Sequence, residues 1–214
     1  MRLIRSTTAL FALAFTLSTF AHAQNTEAAR SGFSEEDTLR VAKAVQHKLL
    51  SLTNYSVFDY LSFGIKGTTI TLYGYASRPT LKSDAERAAK EVSGVTAVNN
   101  QIEVLPNSPN DDRIRVAVYN RIYGNAALRK YTGSPFALGG NNTLARAAGG
   151  ITQDPPLGYH AIHIIVKNGN VILRGVVNNE SDSTIAHMQA NLTPGVFSVD
   201  NELAIAGEPS KQKE

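Results

Sequence analysis

The chain has 214 residues, of which 43% are hydrophobic and 18% are charged, a composition typical of a globular protein with one or two domains. It contains no cysteine, so disulfides, thiolate metal sites, cysteine nucleophiles and a lipid anchor on an N-terminal cysteine are excluded. The formal net charge is only +3, and no clustered basic face points to a nucleic-acid partner.

The first 23 residues resemble a secretory signal peptide. Arg2 and Arg5 give a positive start, an apolar run follows, and residues 21–23 (Ala-His-Ala) have the small-x-small pattern of a cleavage site. The run is short for a transmembrane helix of about 20 residues, and an uncleaved membrane anchor is the alternative. Cleavage after Ala23 leaves 19 basic and 18 acidic residues, a net charge of +1. We therefore expect an exported, periplasmic protein.

Five elements follow a polar, flexible N-terminus at residues 24–34. Apolar residues at every fourth position predict a helix from about Glu36 to Leu50, and alternating apolar residues then predict two strands joined by a tight turn. A second helix is predicted to start near Ser77 and to end at Gly94, and a last strand follows it. The helix stripe consists of Val41, Val45 and Leu49, and the last strand carries Val98, Asn100, Ile102 and Val104.

The same pattern recurs 101 residues later without a gap. Residues 63–74 match residues 164–175, and the Gly-Val pair at 94–95 matches the pair at 195–196. Glycines that stay in register indicate a duplication rather than chance similarity. We interpret the following matched residues as structural, the glycines for turns and the asparagines as hydrogen-bonded amides: Gly74, Gly94, Asn100, Gly175, Gly195 and Asn201.

The first helices of the two units are offset by 73 positions, with Ile114, Val118 and Ile122 in the second, so the second unit contains about 28 extra residues. These fall in an inserted loop at about residues 124–159, which is rich in Gly, Asn and Pro. The predicted boundaries are a first domain at 35–105, a linker at 106–110, a second domain at 111–206 and a flexible tail at 207–214. Asp111 and Asp112 are expected to start the helix of the second domain.

This element order predicts the α+β class. We expect two tandem α-β-β-α-β modules, each a three-stranded mixed sheet with two helices on one face, because that arrangement buries the apolar side of every element.

Several segments resemble the BON domain, which is named for bacterial osmotically inducible and nodulation proteins. They are the helix around Val45, the segments at residues 70–74 and 94–100, and their copies at 171–175 and 195–201. The resemblance implies the α-β-β-α-β fold, a periplasmic or envelope location linked to osmotic stress and envelope integrity, no catalytic residues and no cofactor. For some members it also implies binding to phospholipid surfaces. The missing anchoring cysteine and the insertion depart from that pattern.

No catalytic, cofactor or metal site is predicted. His160 and His163 stand three apart on a strand, so their rings are expected to point to opposite faces rather than to converge on a metal. No nucleophile elbow or phosphate-binding loop is present. An enzyme whose site includes the inserted loop is the less favoured alternative.

A candidate binding surface lies on the first helix of the second module. Its outward face is predicted to carry Arg113, Arg115, Val116, Tyr119 and Tyr123, a mixture that suits an anionic phospholipid membrane surface or an envelope protein. Two alternatives stay open. The inserted loop (Leu128, Phe136, Leu138, Leu144) or the other domain covers this face, or the protein is a structural adaptor that recognises only a protein partner.

Overall fold

The computed structural model describes residues 33–133 and 159–208, and both modules belong to one compact unit. The predicted signal peptide with its cleavage site, residues 24–32, residues 134–158 of the inserted loop and the tail from residue 209 lie outside the described residues. Within 33–133 and 159–208, no helix has both the length and the apolar character needed to cross a bilayer.

The first module contains a helix, a hairpin, a second helix and a last strand in two pieces. β1 and β2 pair antiparallel, and β2 pairs parallel with β3 and β4, so the sheet is mixed as predicted. The interruption between β3 and β4 falls at Gln101 and Ile102. The elements are α1 (Glu35–Leu50), β1 (Tyr60–Lys66), β2 (Thr69–Ala76), α2 (Pro79–Lys90), β3 (Ala97–Asn100) and β4 (Glu103–Val104).

The second module repeats this order, with an unbroken last strand. Its sheet has the order β5-β6-β7, with an antiparallel and then a parallel pair. β6 and α4 start 101 positions after β2 and α2, which confirms the duplication in three dimensions. The elements are α3 (Pro109–Gly124), a short 3-10 helix (Arg129–Tyr131), β5 (Ile162–Lys167), β6 (Asn170–Val177), α4 (Glu180–Asn191) and β7 (Ser198–Ile205).

The helix stripes predicted from the sequence are buried in both modules. Each stripe packs with the inward residues of its own sheet, so the apolar periodicity correctly identified the core-facing side of α1 and α3. The buried stripe residues are Val41, Val45 and Leu49 in α1, and Ile114, Val118 and Ile122 in α3.

Gly74 and Gly175 occupy equivalent positions, each at φ near +120° opposite the start of the neighbouring strand. A Cβ atom on Gly74 would overlap the carbonyl oxygen of Tyr60, and one on Gly175 would overlap that of Ala161. Only glycine fits a position that combines positive φ with such a close backbone approach.

Asn100 and Asn201 also have equivalent roles. The Asn100 amide donates to the Lys82 carbonyl oxygen (2.9 Å) and accepts from the Ile102 N–H (3.2 Å). Asn201 donates to the Ser183 hydroxyl (2.9 Å) and accepts from the Leu203 N–H (3.4 Å). Each asparagine therefore ties the last strand to the second helix of its module.

Helix α3 begins at Pro109, two residues before the predicted start of the second domain. The Ser108 hydroxyl caps it by accepting from the Asp111 N–H, and proline is well suited to the first helical turn. Asp111 is fully buried and has a further role, because its carboxylate accepts the N–H groups of Asn168 (2.8 Å) and Gly169 (2.9 Å) in the β5–β6 turn.

The beginning of the inserted loop is packed against the second module. Leu128 and Tyr131 are buried in its core, and the Tyr131 hydroxyl donates to the Asp182 carboxylate (2.6 Å) and accepts from the Asn178 N–H (2.7 Å). The burial of Leu128 agrees with the alternative that the insertion packs over the second module, although the Gly, Asn and Pro content of residues 124–159 gave no sign of the short 3-10 helix.

We expect Gly74→Ala and Gly175→Ala each to destabilise the protein by at least about 2 kcal/mol, because a side chain there combines backbone strain with a steric overlap. Urea unfolding followed by circular dichroism measures the effect. Gly64→Ala is the matched control in strand β1, since its Cβ would meet only the Tyr73 ring at an ordinary 3.7 Å. Equal stability of all three variants would contradict this account of the two glycines.

Candidate functional site

The structure separates the five residues of the predicted binding surface. Arg113 is exposed and Val116 is half-buried, but Arg115, Tyr119 and Tyr123 are buried. The prediction that these residues form an exposed contact face was wrong for those three. The alternative, cover by the rest of the protein, is what the structure shows.

An aromatic cluster explains the burial of the two tyrosines. The rings of Tyr119, Tyr123 and His160 lie within 4.9–5.5 Å of one another, and the Tyr119 hydroxyl is 3.1 Å from His160 Nε2. The Tyr123 hydroxyl donates to the Ile162 carbonyl oxygen (2.6 Å). Burial raises the pKa of Tyr119 to about 12, so its hydroxyl keeps its proton.

Arg115 is a buried cation whose charge is only partly balanced by hydrogen-bond acceptors. Its guanidinium donates to Asp112 and to the Val166 carbonyl oxygen (2.8 Å), while its Nε atom has no hydrogen-bond partner in the part of the chain that the structure describes. The arginine therefore ties α3 to β5 and does not offer its charge to a lipid headgroup.

The first module supplies part of the cover. The loop between α1 and β1 inserts Val57 and Phe58 into the core of the second module, where the Phe58 ring lies 6.2 Å from that of Tyr119. The Ile164 N–H of β5 donates to the Val57 carbonyl oxygen (2.8 Å), so the loop also occupies a hydrogen-bonding position on the edge of that strand. The core of the second module thus includes two residues of the first, while the first module keeps a core of its own.

A second set of contacts lies beside this loop. The ring of Tyr60 lies 5.4 Å from the Arg174 guanidinium and 5.8 Å from the His163 ring. His163 on β5 and Arg174 on β6 are themselves cross-strand partners. The ring of Tyr55 packs on the other side of His163, 5.4 Å away. We call this region the seam: Tyr55, Val57, Phe58 and Tyr60 of the first module against His163, Ile164 and Arg174 of the second.

Asp59 holds the inserted loop in place. This buried carboxylate accepts from the N–H and hydroxyl groups of Ser56 (3.0 and 2.5 Å) and from the Ser77 N–H (2.6 Å). Burial raises the pKa of Asp59, against the opposing effect of these hydrogen bonds. No motif around residues 51–59 indicated this role.

The two histidines contact different parts of the structure. His160 contacts Tyr119 of α3, and His163 contacts Tyr60 at the seam. Across the described ranges 33–133 and 159–208, no group of three or more His, Asp or Glu side chains is placed to hold a metal ion. His163 Nε2 is 3.4 Å from the Tyr55 hydroxyl, and its Nδ1 atom is buried without a geometrically good hydrogen bond among the described residues. Burial lowers the pKa of His163 to about 4, against the opposing effect of the backbone of Asp59 and Ser56.

An uncharged, apolar surface lies elsewhere on the second module. Phe197, Leu192 and Met188 are 86%, 59% and 51% exposed, on the end of α4 and the loop that leads to β7. We call these three residues the α4–β7 corner. Residues 183–199 contain no Asp, Glu, Lys or Arg, whereas the equivalent residues 82–98 of the first module contain six.

In the first module, the equivalent face is a network of ions. Arg87 pairs with Asp84, Lys90 with Glu86, and Glu91 with Lys48 of α1. Met188 and Leu192 stand at the positions of Arg87 and Glu91, and Phe197 stands at that of Thr96. This contrast between the two copies is visible in the sequence at the offset of 101 residues, whereas the binding surface predicted from the sequence lay on the first helix of the second module.

Both modules match a known protein family. The family model described as the BON domain matches residues 64–106 and 145–207, once in each module. The chain belongs to the BON-domain family. Its two modules are therefore the first and second BON domains, as the sequence pattern predicted. BON-domain proteins are typically periplasmic, and a binding role at the envelope is the coarse function that the family indicates.

Other comparisons add little. A search of the curated proteins finds no match. Two solved structures of CdsD, described as a structural protein of the type III secretion system of Chlamydia trachomatis, are each 14% identical to this chain. One covers 79% of this chain and 92% of its own with a TM-score of 0.24, and the other, of the C-terminal domain, covers 81% and 99% with a TM-score of 0.25. At this identity and TM-score, neither structure supports an inference about the function of this protein.

We expect Phe58→Ala to destabilise the protein by about 3 kcal/mol, the cost of removing a large aromatic ring from a packed core. Although Phe58 belongs to the first BON domain by sequence, the loss should appear as earlier unfolding of the second, because the cavity opens beside Tyr119. Thermal unfolding followed by near-UV circular dichroism of the tyrosines measures it. Leu50→Ala, at an exposed apolar position of α1, is the control and should change stability by less than about 0.5 kcal/mol.

We expect stability to fall by about 2–3 kcal/mol between pH 6.5 and pH 4 on account of His163. The imidazole has its ordinary pKa of 6.5 in the unfolded chain and a pKa of about 4 in the folded protein. Between these values the unfolded chain binds a proton that the folded protein does not, so a fall in pH favours unfolding. A proton on His163 would also lie beside Arg174. Urea unfolding at a series of pH values gives the slope.

The His163→Gln variant isolates this contribution. The raised pKa of Asp59 acts in the opposite sense, because its stabilisation is lost as pH rises, but it acts equally in both proteins and cancels in their difference. A His163→Gln protein with the same slope as the wild type would show that the seam does not bury a neutral histidine.

Proposed function

We propose that this protein is an exported, non-catalytic protein of the periplasm that acts by surface contact with the envelope, and that its α4–β7 corner contacts phospholipid. The observation that carries the proposal is the exposed Met188, Leu192 and Phe197 on a segment without charged residues. Large apolar side chains left exposed on a segment without charged residues are typical of interaction surfaces.

The size and charge of the corner favour hydrocarbon over a protein face. A stable protein interface buries about 800 Å² on each partner, more than three side chains supply. Hydrocarbon needs no matching shape, and side chains such as Phe and Leu enter the boundary between headgroups and acyl chains. The absence of charged groups on residues 183–199 removes the cost of desolvating an ion there.

The same features specify the mode of contact. Binding by the corner depends on apolar insertion and not on the attraction of Lys and Arg to anionic lipid, which contributes about 1 kcal/mol for each basic residue near the surface. Arg113 of the surface predicted from the sequence stays available as an exposed residue on α3. Arg115, Tyr119 and Tyr123 are not part of this proposal, since their substitution would disturb the core.

A protein partner is the alternative, and the free edge of β7 favours it. Among the described strands, β7 pairs only with β6 and runs unbroken for eight residues. An extended segment of another envelope protein could pair with such an edge. In that case the protein is a structural adaptor, and the α4–β7 corner is the apolar contact beside the added strand.

Co-sedimentation with vesicles tests the lipid contact. We expect the wild type to pellet with vesicles of phosphatidylcholine, and to gain less than threefold in affinity when a third of the lipid is phosphatidylglycerol. The triple variant Met188→Arg, Leu192→Glu, Phe197→Thr carries the residues of the first BON domain at these positions and should lose at least tenfold in affinity. Leu39→Glu, which changes an exposed leucine of α1, should bind as the wild type does.

Two outcomes would overturn the proposal. A wild type that stays in the supernatant with both vesicle types rules out a lipid contact and leaves the adaptor. A triple variant that binds as well as the wild type places the lipid contact elsewhere on the protein.

A further inference from the structure

A cleft of about 260 Å³ opens beside the seam, on the face of the first sheet that points away from its helices. β1 and β2 supply most of its walls, and the second BON domain supplies Arg174. Its lining residues are Tyr60, Ser62, Tyr73, Gly74, Tyr75, Gln101, Glu103 and Arg174. The volume lies below the roughly 300–1,000 Å³ of sites for drug-sized ligands, so a ligand of about one ring fits it.

The charged groups of the cleft are already paired. Arg174 forms an ion pair with Glu202, and Glu103 forms one with Lys167. An ionic ligand would have to compete with these internal pairs, so the charge of the walls favours no anion and no cation. The chemistry that the walls offer is therefore that of neutral groups.

Several neutral polar groups in the cleft are available to a ligand. Within residues 33–133 and 159–208, the side chains of Ser62, Tyr73, Tyr75 and Gln101 form no hydrogen bond to protein. Together they offer three hydroxyl groups and one amide, each able to donate and to accept. The Tyr73 ring is 44% exposed and lies beside Gly64, where a Cβ would be 3.7 Å from the ring.

These aromatic residues are not required by the fold. The equivalent positions in the second BON domain, 101 residues later, carry Ala161, Arg174 and Val176 in place of Tyr60, Tyr73 and Tyr75. Since the same sheet forms without three tyrosines on that face, the rings of the first domain are free to serve recognition. Tyr60 also contributes to the seam, whereas Tyr73 and Tyr75 form no ring contact and no hydrogen bond within residues 33–133 and 159–208; Tyr75 does interact with Lys167 and helps to raise the pKa of that ammonium group.

We propose that this cleft binds one ring of an uncharged saccharide. The C–H groups of a pyranose pack against the face of an aromatic ring, and its hydroxyls pair with side-chain amides and hydroxyls. Tyr73 provides the ring face, while Gln101, Ser62 and Tyr75 provide the polar partners. This site shares no residue with the α4–β7 corner, so it extends the proposed function and does not depend on it.

Saturation-transfer NMR on the full protein tests the proposal, with N-acetylglucosamine and glucose as neutral probes and N-acetylneuraminate as a charged one. We expect transfer to at least one neutral sugar and at least tenfold weaker binding of the charged sugar. Tyr73→Ala should weaken binding of the neutral sugar at least tenfold, while Tyr73→Phe, which keeps the ring, should change it less than threefold. Gln101→Ala should weaken it about fivefold, as expected for the loss of one hydrogen bond.

The controls separate this proposal from the lipid contact. Phe197→Thr should leave sugar binding unchanged, and Tyr73→Ala should leave vesicle binding unchanged. The thermal midpoint of each variant is measured as well, and we expect it to stay within a few degrees of the wild type because Tyr73 is exposed. No transfer to either neutral sugar, stronger transfer to the charged sugar, or a Tyr73→Ala protein that binds as the wild type does would overturn the assignment.

Discussion

The insertion of Val57 and Phe58 into the second BON domain is the contact on which the rest of the structure depends. A module of roughly 70 residues buries a small core and is only marginally stable alone. Here the first domain lends an aromatic ring to the core of the second and places a carbonyl group on the edge of β5. In the same seam, Tyr60 contacts both His163 and Arg174, and Tyr60 and Arg174 also line the cleft.

Much of this architecture follows from periodicity and duplication. The four-residue spacing of Val41, Val45 and Leu49 identified a buried stripe, and the matched glycines identified two copies of one fold. Both signals are local or repeated, so a single sequence contains them. The breaks in the last strand of the first sheet and the start of α3 at Pro109 depend on hydrogen bonds of individual side chains, which periodicity does not show.

The candidate site was harder to predict for a physical reason. Helical geometry places Tyr119 and Tyr123 beside the apolar stripe of α3 and predicts an outward face, whereas the structure buries both in the same core as that stripe. Part of the cover comes from Phe58, 61 residues earlier than Tyr119 and in a segment without any periodic pattern, and part comes from His160. Large side chains on the second face of a helix are as consistent with a shared core as with an exposed surface.

The two copies have diverged in opposite ways. The first keeps an ionic face on its second helix and three tyrosines on its open sheet face, while the second has an uncharged helix face and no tyrosine at those sheet positions. The two copies therefore differ in the charge of the second helix and in the aromatic residues of the open sheet face. Because Phe58 crosses from one copy into the other, the second repeat does not contain all of its own core. A fragment that begins at Pro109 would lack Val57 and Phe58 and would leave a cavity beside Tyr119.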